Sequence, residues 1–472
     1  MKRLFGTDGI RGAAGRFPLD EPTIERIGRA LAITLRSNGR APRVMLGRDT
    51  RESGPAIEAA LLRGLEARGA AADRAGVLST PAIACLTRLL GYDAGVVISA
   101  SHNPYRDNGI KVFSGRGEKL SDRLEMEIER QVLDGDDPGP AAASGPRAAS
   151  AASSGALSPG AVPPGSAHDA ADLRERYFGW LSAALGPGAS LAGQRVVLDC
   201  AHGAASELAP EIFRRLGAEA IALHASPDGR NINEDCGALH PGLLSAEVLR
   251  RKASLGLAFD GDADRCLAVD ASGRLLDGDH IMYLAARDLK HRGRLPGDLV
   301  VGTVMSNLWL EKALHAEGIR LLRAPVGDKY VLEEMQRGGV TLGGEQSGHI
   351  IFLDQATTGD GLLTGLLLAD LIRRTGLDLA AWARGIVPCP QILVNVQVRE
   401  RPPLESHPTI GPAIRDEEMR LAGRGRVLVR YSGTEPKARI MVEGESRAEV
   451  EASVARLRRL IEQEIGLAEG DR

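Results

Sequence analysis

Residues 95–113, Gly95-Val96-Val97-Ile98-Ser99-Ala100-Ser101-His102-Asn103-Pro104-Tyr105-Arg106-Asp107-Asn108-Gly109-Ile110-Lys111-Val112-Phe113, organise the reading of this chain. The β-branched run Val96–Ile98 predicts a short buried strand. Pro104 lacks an amide donor and biases Asn103 away from helical geometry, so the strand gives way to a polar loop. Asn108-Gly109 signals a second turn before the apolar alternation of Ile110 to Phe113. Ser99 and Ser101 thus stand near a loop tip, with His102 and Lys111 close in sequence. A hydroxyl at the carboxyl end of a strand is a candidate covalent nucleophile. Taken alone, these residues fit an ordinary Ser/Asn turn better, and it is the rest of the chain that reverses this.

Outward from this loop, the N-terminal segment alternates helical and strand patterns. Ile24, Ile27, Leu31 and Leu35 mark one helical face, Val44-Met45-Leu46 reads as a strand, Ala56 to Leu65 as a helix, and Thr80-Pro81 as a helix start. This rhythm predicts a mostly parallel sheet with helices on both faces. Arg48 and Arg51, in the turn after the Val44 strand, could hold a phosphate or brace a contact, and the pattern favours bracing.

The chain has 472 residues, too many for one core, with 43% hydrophobic but only 3% aromatic residues. Its cores must therefore be built from Leu, Ile, Val and Ala, as where helices flank parallel sheets. A net charge of −3 points to no nucleic-acid partner. The first residues lack the apolar core of a signal peptide, and the apolar stretch Leu362 to Ile372 is short and interrupted by Asp370. No membrane partner is expected. Cys85, Cys200, Cys236, Cys266 and Cys389 are scattered without metal-ligand spacing, which fits reduced structural thiols in a cytoplasmic protein. From Pro138 to His168, 27 of 31 residues are Ala, Ser, Gly or Pro, so a disordered linker is expected there.

Beyond the linker, Val196 to Asp199 and Leu255 to Phe259 read as strands. The second leads into Asp260-Gly261-Asp262-Ala263-Asp264-Arg265. Three alternating carboxylates repel one another unless a cation neutralises them, and hard oxygen donors suit Mg²⁺. A Ca²⁺ helix-loop-helix site does not fit, because Arg265 and Ala271 stand where that loop needs Gly and Glu. A solvated acidic turn, or Asp260 as an aspartyl nucleophile, are the other readings. Further on, Gly343 to Ile350 (GGEQSGHI) places Glu345, Gln346, Ser347 and His349 in a glycine-bracketed loop suited to a hydroxyl-rich ligand, or in a plain turn. The final segment differs. Val394, Val396 and Val398 alternate with polar residues, and Val427 to Arg430 leads through Tyr431-Ser432-Gly433-Thr434-Glu435-Pro436 to a returning strand. Arg430, Ser432, Gly433, Thr434 and Arg439 supply donors that suit a dianionic phosphate; a hairpin loop with surface charges is the plainer alternative. Ser446 predicts the cap of a closing helix.

Together with the opening Leu4-Phe5-Gly6-Thr7-Asp8-Gly9-Ile10-Arg11-Gly12, these loops resemble the bacterial phosphoglucosamine mutases, within the α-D-phosphohexomutase superfamily. The resemblance covers nearly the whole chain outside the linker. Gln346, the opening motif, and Pro227-Asp228-Gly229 with Asn231-Ile232-Asn233 resemble the glucosamine branch more than the phosphomannomutase/phosphoglucomutase branch. The stretch Ala238-Leu239-His240-Pro241-Gly242 departs from the family pattern.

The resemblance implies an α/β, four-domain, heart-shaped enzyme with three related mixed α/β domains and a smaller C-terminal α+β domain. The expected divisions are 1–137, a linker at 138–170, then 171–275, 276–388 and 389–472. It implies a reversible conversion of glucosamine 6-phosphate to glucosamine 1-phosphate through glucosamine 1,6-bisphosphate, feeding UDP-N-acetylglucosamine and peptidoglycan synthesis. Ser101 would be the phosphoserine, one Mg²⁺ per subunit would be held by Asp260, Asp262, Asp264 and the group on Ser101, and Arg11 would stabilise charge. Lys111 and His349 would transfer protons. Arg265, Glu345 and Ser347 would contact the sugar phosphate, and Arg430 to Thr434 with Arg439 the non-reacting phosphate. A homodimer is usual in the family. Action on glucose or mannose phosphates is the nearer alternative, and a silent sugar-phosphate-binding protein the more distant one.

Overall fold

Buried apolar runs punctuated by turn residues set the architecture of the computed structural model, which describes residues 4–6, 8–37, 39–135, 168–432 and 436–467. Residues 138–167 of the expected linker, and Gly433 and Thr434 of the phosphate loop, lie outside the described residues; Asp169 already caps a helix that begins at Ala170. The chain divides into two compact units, Met1–Val304 with Leu322–Ala383, and Met305–Leu321 with Arg384–Arg472.

The first unit contains a six-stranded sheet in the order Phe5–Gly6, Gly9–Ala13, Asp107–Ser114, Ala94–Ile98, Arg43–Arg48, Ala71–Val77. Arg43–Arg48 pairs in parallel with both Ala94–Ile98 and Ala71–Val77, but the other three pairings are antiparallel. The sheet is therefore mixed rather than mostly parallel. The reason is local: the serine loop returns directly as a hairpin, Ile98 opposite Ile110, where a parallel neighbour would need a helical crossover. Helices Glu21–Thr34 and Gly54–Glu66 pack closely; a Cβ on Gly28 would lie 2.4 Å from the Leu61 carbonyl oxygen.

A five-stranded sheet follows, ordered Leu275–Leu276, Cys266–Asp270, Leu255–Phe259, Arg195–Asp199, Glu219–Leu223. A four-stranded sheet is ordered Arg320–Ala324, Leu299–Thr303, Leu342–Gly344, Ile350–Phe352. Both are mixed: a parallel pair carries an antiparallel hairpin at one side, and the two hairpins carry the DGDADR and GGEQSGHI loops. Asp360 caps the buried helix Gly361–Thr375 by accepting from the Leu363 amide. Among the described residues, no helix is long and apolar enough to cross a membrane.

The second unit carries the antiparallel sheet Gln391–Gln397, Lys437–Gly444, Gly425–Tyr431, covered by the helices Ile410–Leu421 and Arg447–Ile465. Ser446 caps the last helix, and Val450, Val454, Leu457 and Ile461 are buried, as their spacing predicts. The helix Leu308–Ala316 also belongs to this unit. Buried Glu443 ties it there by accepting from the Leu308 amide at 3.1 Å while pairing with Arg426.

Candidate active site

The serine loop is held by buried side chains. The strand Ala94–Ile98 is wholly buried and ends in Ser99, whose hydroxyl donates to Asp49 at 2.6 Å. The same Ser99 oxygen accepts from the Ser101 amide at 2.9 Å. Ser101 adopts a left-handed backbone (φ 52°), a conformation that costs a non-glycine residue energy unless its surroundings enforce it. Arg51 supplies much of that enforcement. Its fully buried guanidinium pairs with Asp49 at 2.9 Å and donates to the carbonyls of Ser101 (3.0 Å), Asn103 (2.8 Å), Asp107 (2.9 Å) and Pro104. Arg48 pairs with Glu58 at 3.3 Å, so both turn arginines brace the fold, as their pattern suggests.

The aspartate loop meets this cradle edge-on. It links Leu255–Phe259 to Cys266–Asp270, with Ala263 also left-handed (φ 57°). Gly261 is needed there, because a Cβ at that position would lie 2.5 Å from the Ser101 carbonyl oxygen. The Ser101 hydroxyl donates to Asp260 Oδ2 at 2.6 Å, and Asp260 Oδ1 accepts from the Arg265 amide. Asp262 Oδ2 accepts from the Thr80 hydroxyl at 2.6 Å and from Lys111 Nζ at 2.8 Å. Asp262 Oδ1 and Asp264 Oδ1 are buried with no hydrogen-bond partner among the described residues. One oxygen from each of the three aspartates lies within 4.8 Å of the others, so the triad could hold a metal ion. Buried, unsatisfied, all-oxygen donors fit a hard divalent cation such as Mg²⁺.

Charge is concentrated here. Burial and the neighbouring Asp264 and Asp262 push the Asp260 carboxyl well above the usual range. Burial works against the charged form of Asp264, but Lys111, then His349 and Arg265, outweigh it and hold its pKa well below normal. Burial likewise opposes the Lys111 ammonium, yet Asp262, Asp8 and Asp264, at 2.8, 3.1 and 3.3 Å, keep it firmly charged. Arg11 pairs with Asp8 and reaches Asn103 Oδ1 at 3.3 Å. His102 Nδ1 is 3.4 Å from the Ser101 hydroxyl, and burial, Arg265 and Arg11 lower its pKa to about 4, so the ring is neutral.

His349 reaches the same cluster from the hairpin Leu342–Gly344/Ile350–Phe352, with Nδ1 3.7 Å from Asp264. Burial would lower its pKa, but Asp264, then Asp328 and Glu345, raise it to about 9. The Gly359 amide points at Nε2 from 2.9 Å, a contact that requires a bare Nε2. The carboxylates thus favour the imidazolium, whose Nε2–H would displace that contact, whereas the neutral ring that keeps it carries its proton on Nδ1. Glu345 is half-buried and accepts from the Gly327 amide, Ser347 is exposed, and Arg265 Nε is buried without a hydrogen-bond partner among the described residues.

Arg430, Ser432 and Arg439 belong to the second unit. Arg430 stands directly opposite Arg439 in the antiparallel register, and Ser432 is 3.4 Å from Arg439 Nη2. Burial and the charge of Arg439 lower the Arg430 pKa. Two facing guanidinium groups repel each other unless an anion lies between them.

Several residues of this site escape the sequence reading. Asp8 links Arg11, Lys111 and Lys119, and Lys119 also pairs with Asp328 at 2.7 Å. Thr80 binds Asp262, and Asn233 donates to the carbonyls of Ser101 (2.9 Å) and Asn103 (3.1 Å). Asp8 and Asn233 sit inside motifs that drew notice as wholes. Nothing local marks Lys119 or Asp328. The departure at Ala238–Gly242 forms a short turn, Gly237–Leu239, with Leu239 exposed.

Residues 2–138, 184–273, 277–388 and 393–460 match, in turn, the alpha/beta/alpha domains I, II and III and the C-terminal domain described for phosphoglucomutase/phosphomannomutase. The chain belongs to the phosphoglucomutase/phosphomannomutase family, a family of phosphosugar mutases. Two full-length relatives carry the name phosphoglucosamine mutase. That of Moorella thermoacetica is 50% identical over 98% of this chain and 99% of its own length. That of Koribacter versatilis is 47% identical over 99% and 98%. In fold, the chain is similar to a phosphoglucomutase/phosphomannomutase family protein from Burkholderia thailandensis (TM-score 0.76, 24% identity, 99% and 100% of the two chains covered). It is also similar to Aspergillus fumigatus N-acetylphosphoglucosamine mutase (TM-score 0.64, 18% identity, 98% and 96% covered).

Proposed function

We propose that this protein acts as a phosphoglucosamine mutase, an isomerase that interconverts glucosamine 6-phosphate and glucosamine 1-phosphate through a phosphoserine at Ser101. The observation that carries the reading is the 2.6 Å contact between the Ser101 hydroxyl and Asp260, within a buried aspartate triad. The full-length relatives named phosphoglucosamine mutase support the amino-sugar substrate over the glucose and mannose alternatives.

In the forward direction, the phosphoryl group on Ser101 passes to the C1 hydroxyl of glucosamine 6-phosphate, giving glucosamine 1,6-bisphosphate and a free serine. The bisphosphate reorients. Ser101 Oγ then takes the phosphoryl group from C6, releasing glucosamine 1-phosphate and regenerating the phosphoserine. Asp260, Asp262 and Asp264 would hold one Mg²⁺ per subunit, which supplies Lewis-acid charge neutralisation for phosphoryl transfer. Arg11 and Lys111 face the same charge from the protein side. Lys111, kept as the ammonium by three carboxylates, is the proton donor to the departing oxygen. His349 in its neutral form is the proton acceptor at Nε2, giving up the Gly359 amide contact as it becomes the imidazolium that the surrounding carboxylates favour. Glu345 and Ser347 bind sugar hydroxyls, and Arg265 the sugar phosphate. Arg430, Ser432 and Arg439, with Gly433 and Thr434, hold the non-reacting phosphate. A cytoplasmic homodimer feeding UDP-N-acetylglucosamine synthesis completes the reading.

The test is turnover by purified protein with Mg²⁺ and a trace of the bisphosphate, comparing kcat/KM for glucosamine, glucose and mannose 6-phosphates. The reading expects glucosamine 6-phosphate to be preferred. Preference for glucose or mannose 6-phosphate would move the protein to another branch, and absence of turnover on all three would exclude a mutase.

A further inference from the structure

A second group of metal-type ligands, sharing no residue with the aspartate triad, lies at the strand ends of the five-stranded sheet, where Asp199 stands opposite Ala258. Asp199 ends the strand Arg195–Asp199, and His224 directly follows its parallel neighbour Glu219–Leu223. Cys236 immediately precedes the short turn Gly237–Leu239. These residues come from three separate segments, yet a carboxylate oxygen, a ring nitrogen and the sulfur all lie within 4.8 Å of one another. Asp199 is wholly buried. Its Oδ1 accepts from the Ala201 amide at 3.1 Å, whereas its Oδ2 has no hydrogen-bond partner among the described residues. His224 Nδ1 lies 3.0 Å from Asp199 Oδ1 but makes no aligned hydrogen bond. A buried carboxylate oxygen and an imidazole nitrogen left unsatisfied side by side are energetically costly unless something bridges them.

We propose that Asp199, His224 and Cys236 form a second metal site, selective for a thiophilic divalent transition ion such as Zn²⁺. One sulfur, one imidazole nitrogen and one carboxylate oxygen are a donor set that Mg²⁺ disfavours and Zn²⁺ prefers. Typical zinc bonds, about 2.3 Å to sulfur and about 2.0–2.2 Å to nitrogen or oxygen, need the three donors to close in slightly on the ion. Three protein ligands leave a fourth tetrahedral position for water, as expected of an exchangeable site. The loop that carries Cys236 also carries Asn233, which holds the carbonyls of Ser101 and Asn103. Occupancy would therefore anchor one of the supports of the serine loop.

The experiment uses full-length protein in excess Mg²⁺, titrated with Co²⁺ as the spectroscopic probe. Cobalt bound to oxygen ligands alone gives no thiolate-to-metal charge-transfer band, so the aspartate triad is silent in this assay. The expected result is a near-ultraviolet charge-transfer band that saturates at one equivalent and is displaced by Zn²⁺. The band should vanish in Cys236→Ser and persist in Cys200→Ser, because the Cys200 thiol is turned to the Leu198 carbonyl. His224→Ala, at a partly exposed side chain, should keep the fold and weaken Co²⁺ affinity about tenfold or more. It decides the matter should Cys236→Ser prove insoluble. Absence of the band, its persistence in Cys236→Ser, or unchanged affinity in His224→Ala would each overturn the proposal.

Discussion

Ser99 gives its hydroxyl hydrogen to Asp49 at 2.6 Å while its oxygen receives the Ser101 amide, so the two serines of one loop have divided roles. Ser99 is committed to the scaffold and Ser101 faces the aspartates. Phosphopeptide mapping of active enzyme is therefore expected to find the phosphoryl group on Ser101. Ser101→Ala should abolish turnover with little change in melting temperature, while Ser99→Ala should lower stability and retain phosphate at Ser101. Phosphate on Ser99 alone would refute this division.

Arg51 is a buried ion bound to a buried partner and to four loop carbonyls. Arg51→Ala leaves Asp49 uncompensated, a loss of about 3–5 kcal/mol by analogy with other broken buried pairs. Arg51→Lys restores charge but not the fork of donors, and should recover stability partly while kcat remains low. Chemical denaturation alongside steady-state kinetics separates the two effects.

Gly261→Ala forces a methyl group against the Ser101 carbonyl, with backbone on both sides of the clash. The loops must separate, so kcat and Mg²⁺ affinity are both expected to fall well over tenfold. Isothermal titration with Mg²⁺ and a rate assay check this, and near-normal values would mean that the loops adjust independently.

Asp360, whose neighbour Gly361 donates its amide to the Ala263 carbonyl, offers a separate pH test. Burial raises its pKa to about 6, against the Leu363 amide and Tyr177 hydroxyl, which favour the anion. The folded state thus holds a proton that the unfolded chain loses earlier. Its stabilising effect is complete below about pH 4, declines as pH rises to about 6, and is absent above. Asp360→Asn keeps the helix-capping oxygen without the charge. The variant should gain about 2–3 kcal/mol relative to the parent between pH 4 and pH 7. Parallel unfolding curves across that range are the measurement.

On the proposed role of Arg430, Arg430→Ala would remove a charge-assisted phosphate contact worth about 1.5–3 kcal/mol, and KM should rise roughly 10- to 150-fold. Phosphate occupancy of Ser101 should stay unchanged. An unaltered KM would make the facing arginines purely structural.

Much of this was legible because the chemistry sits in contiguous loops at strand ends. The serine, aspartate and GGEQSGHI loops could each be placed from composition and turn residues before any contact was known. What could not be read depends on long-range closure. Lys119 and Asp328 are ordinary surface-type charges in sequence, and only folding puts them 2.7 Å apart. The cysteines looked structural because Asp199, His224 and Cys236 share no spacing motif; the pairing of two strands and the loop before Gly237 gather them. The parallel bias expected of the first sheet failed because a hairpin encodes its own antiparallel return. The helix Leu308–Ala316 gave no sign that it belongs with the C-terminal segment, since its ties, among them the buried Glu443, the Asn307–Cys389 pair and Lys312–Glu445, all join residues far apart in the chain.

The left-handed turn at Ser101 has a kinetic implication. With its carbonyl grasped by Arg51 and Asn233 and its backbone abutting Gly261, the serine is the stator of the reaction. In the proposed reaction it would not swing out to meet first one end of the sugar bisphosphate and then the other. The rotation would then fall on the ligand. The tumbling step should therefore respond to solvent viscosity and to the size of the sugar substituent, while the two phosphoryl transfers share one fixed geometry and one set of protein dipoles.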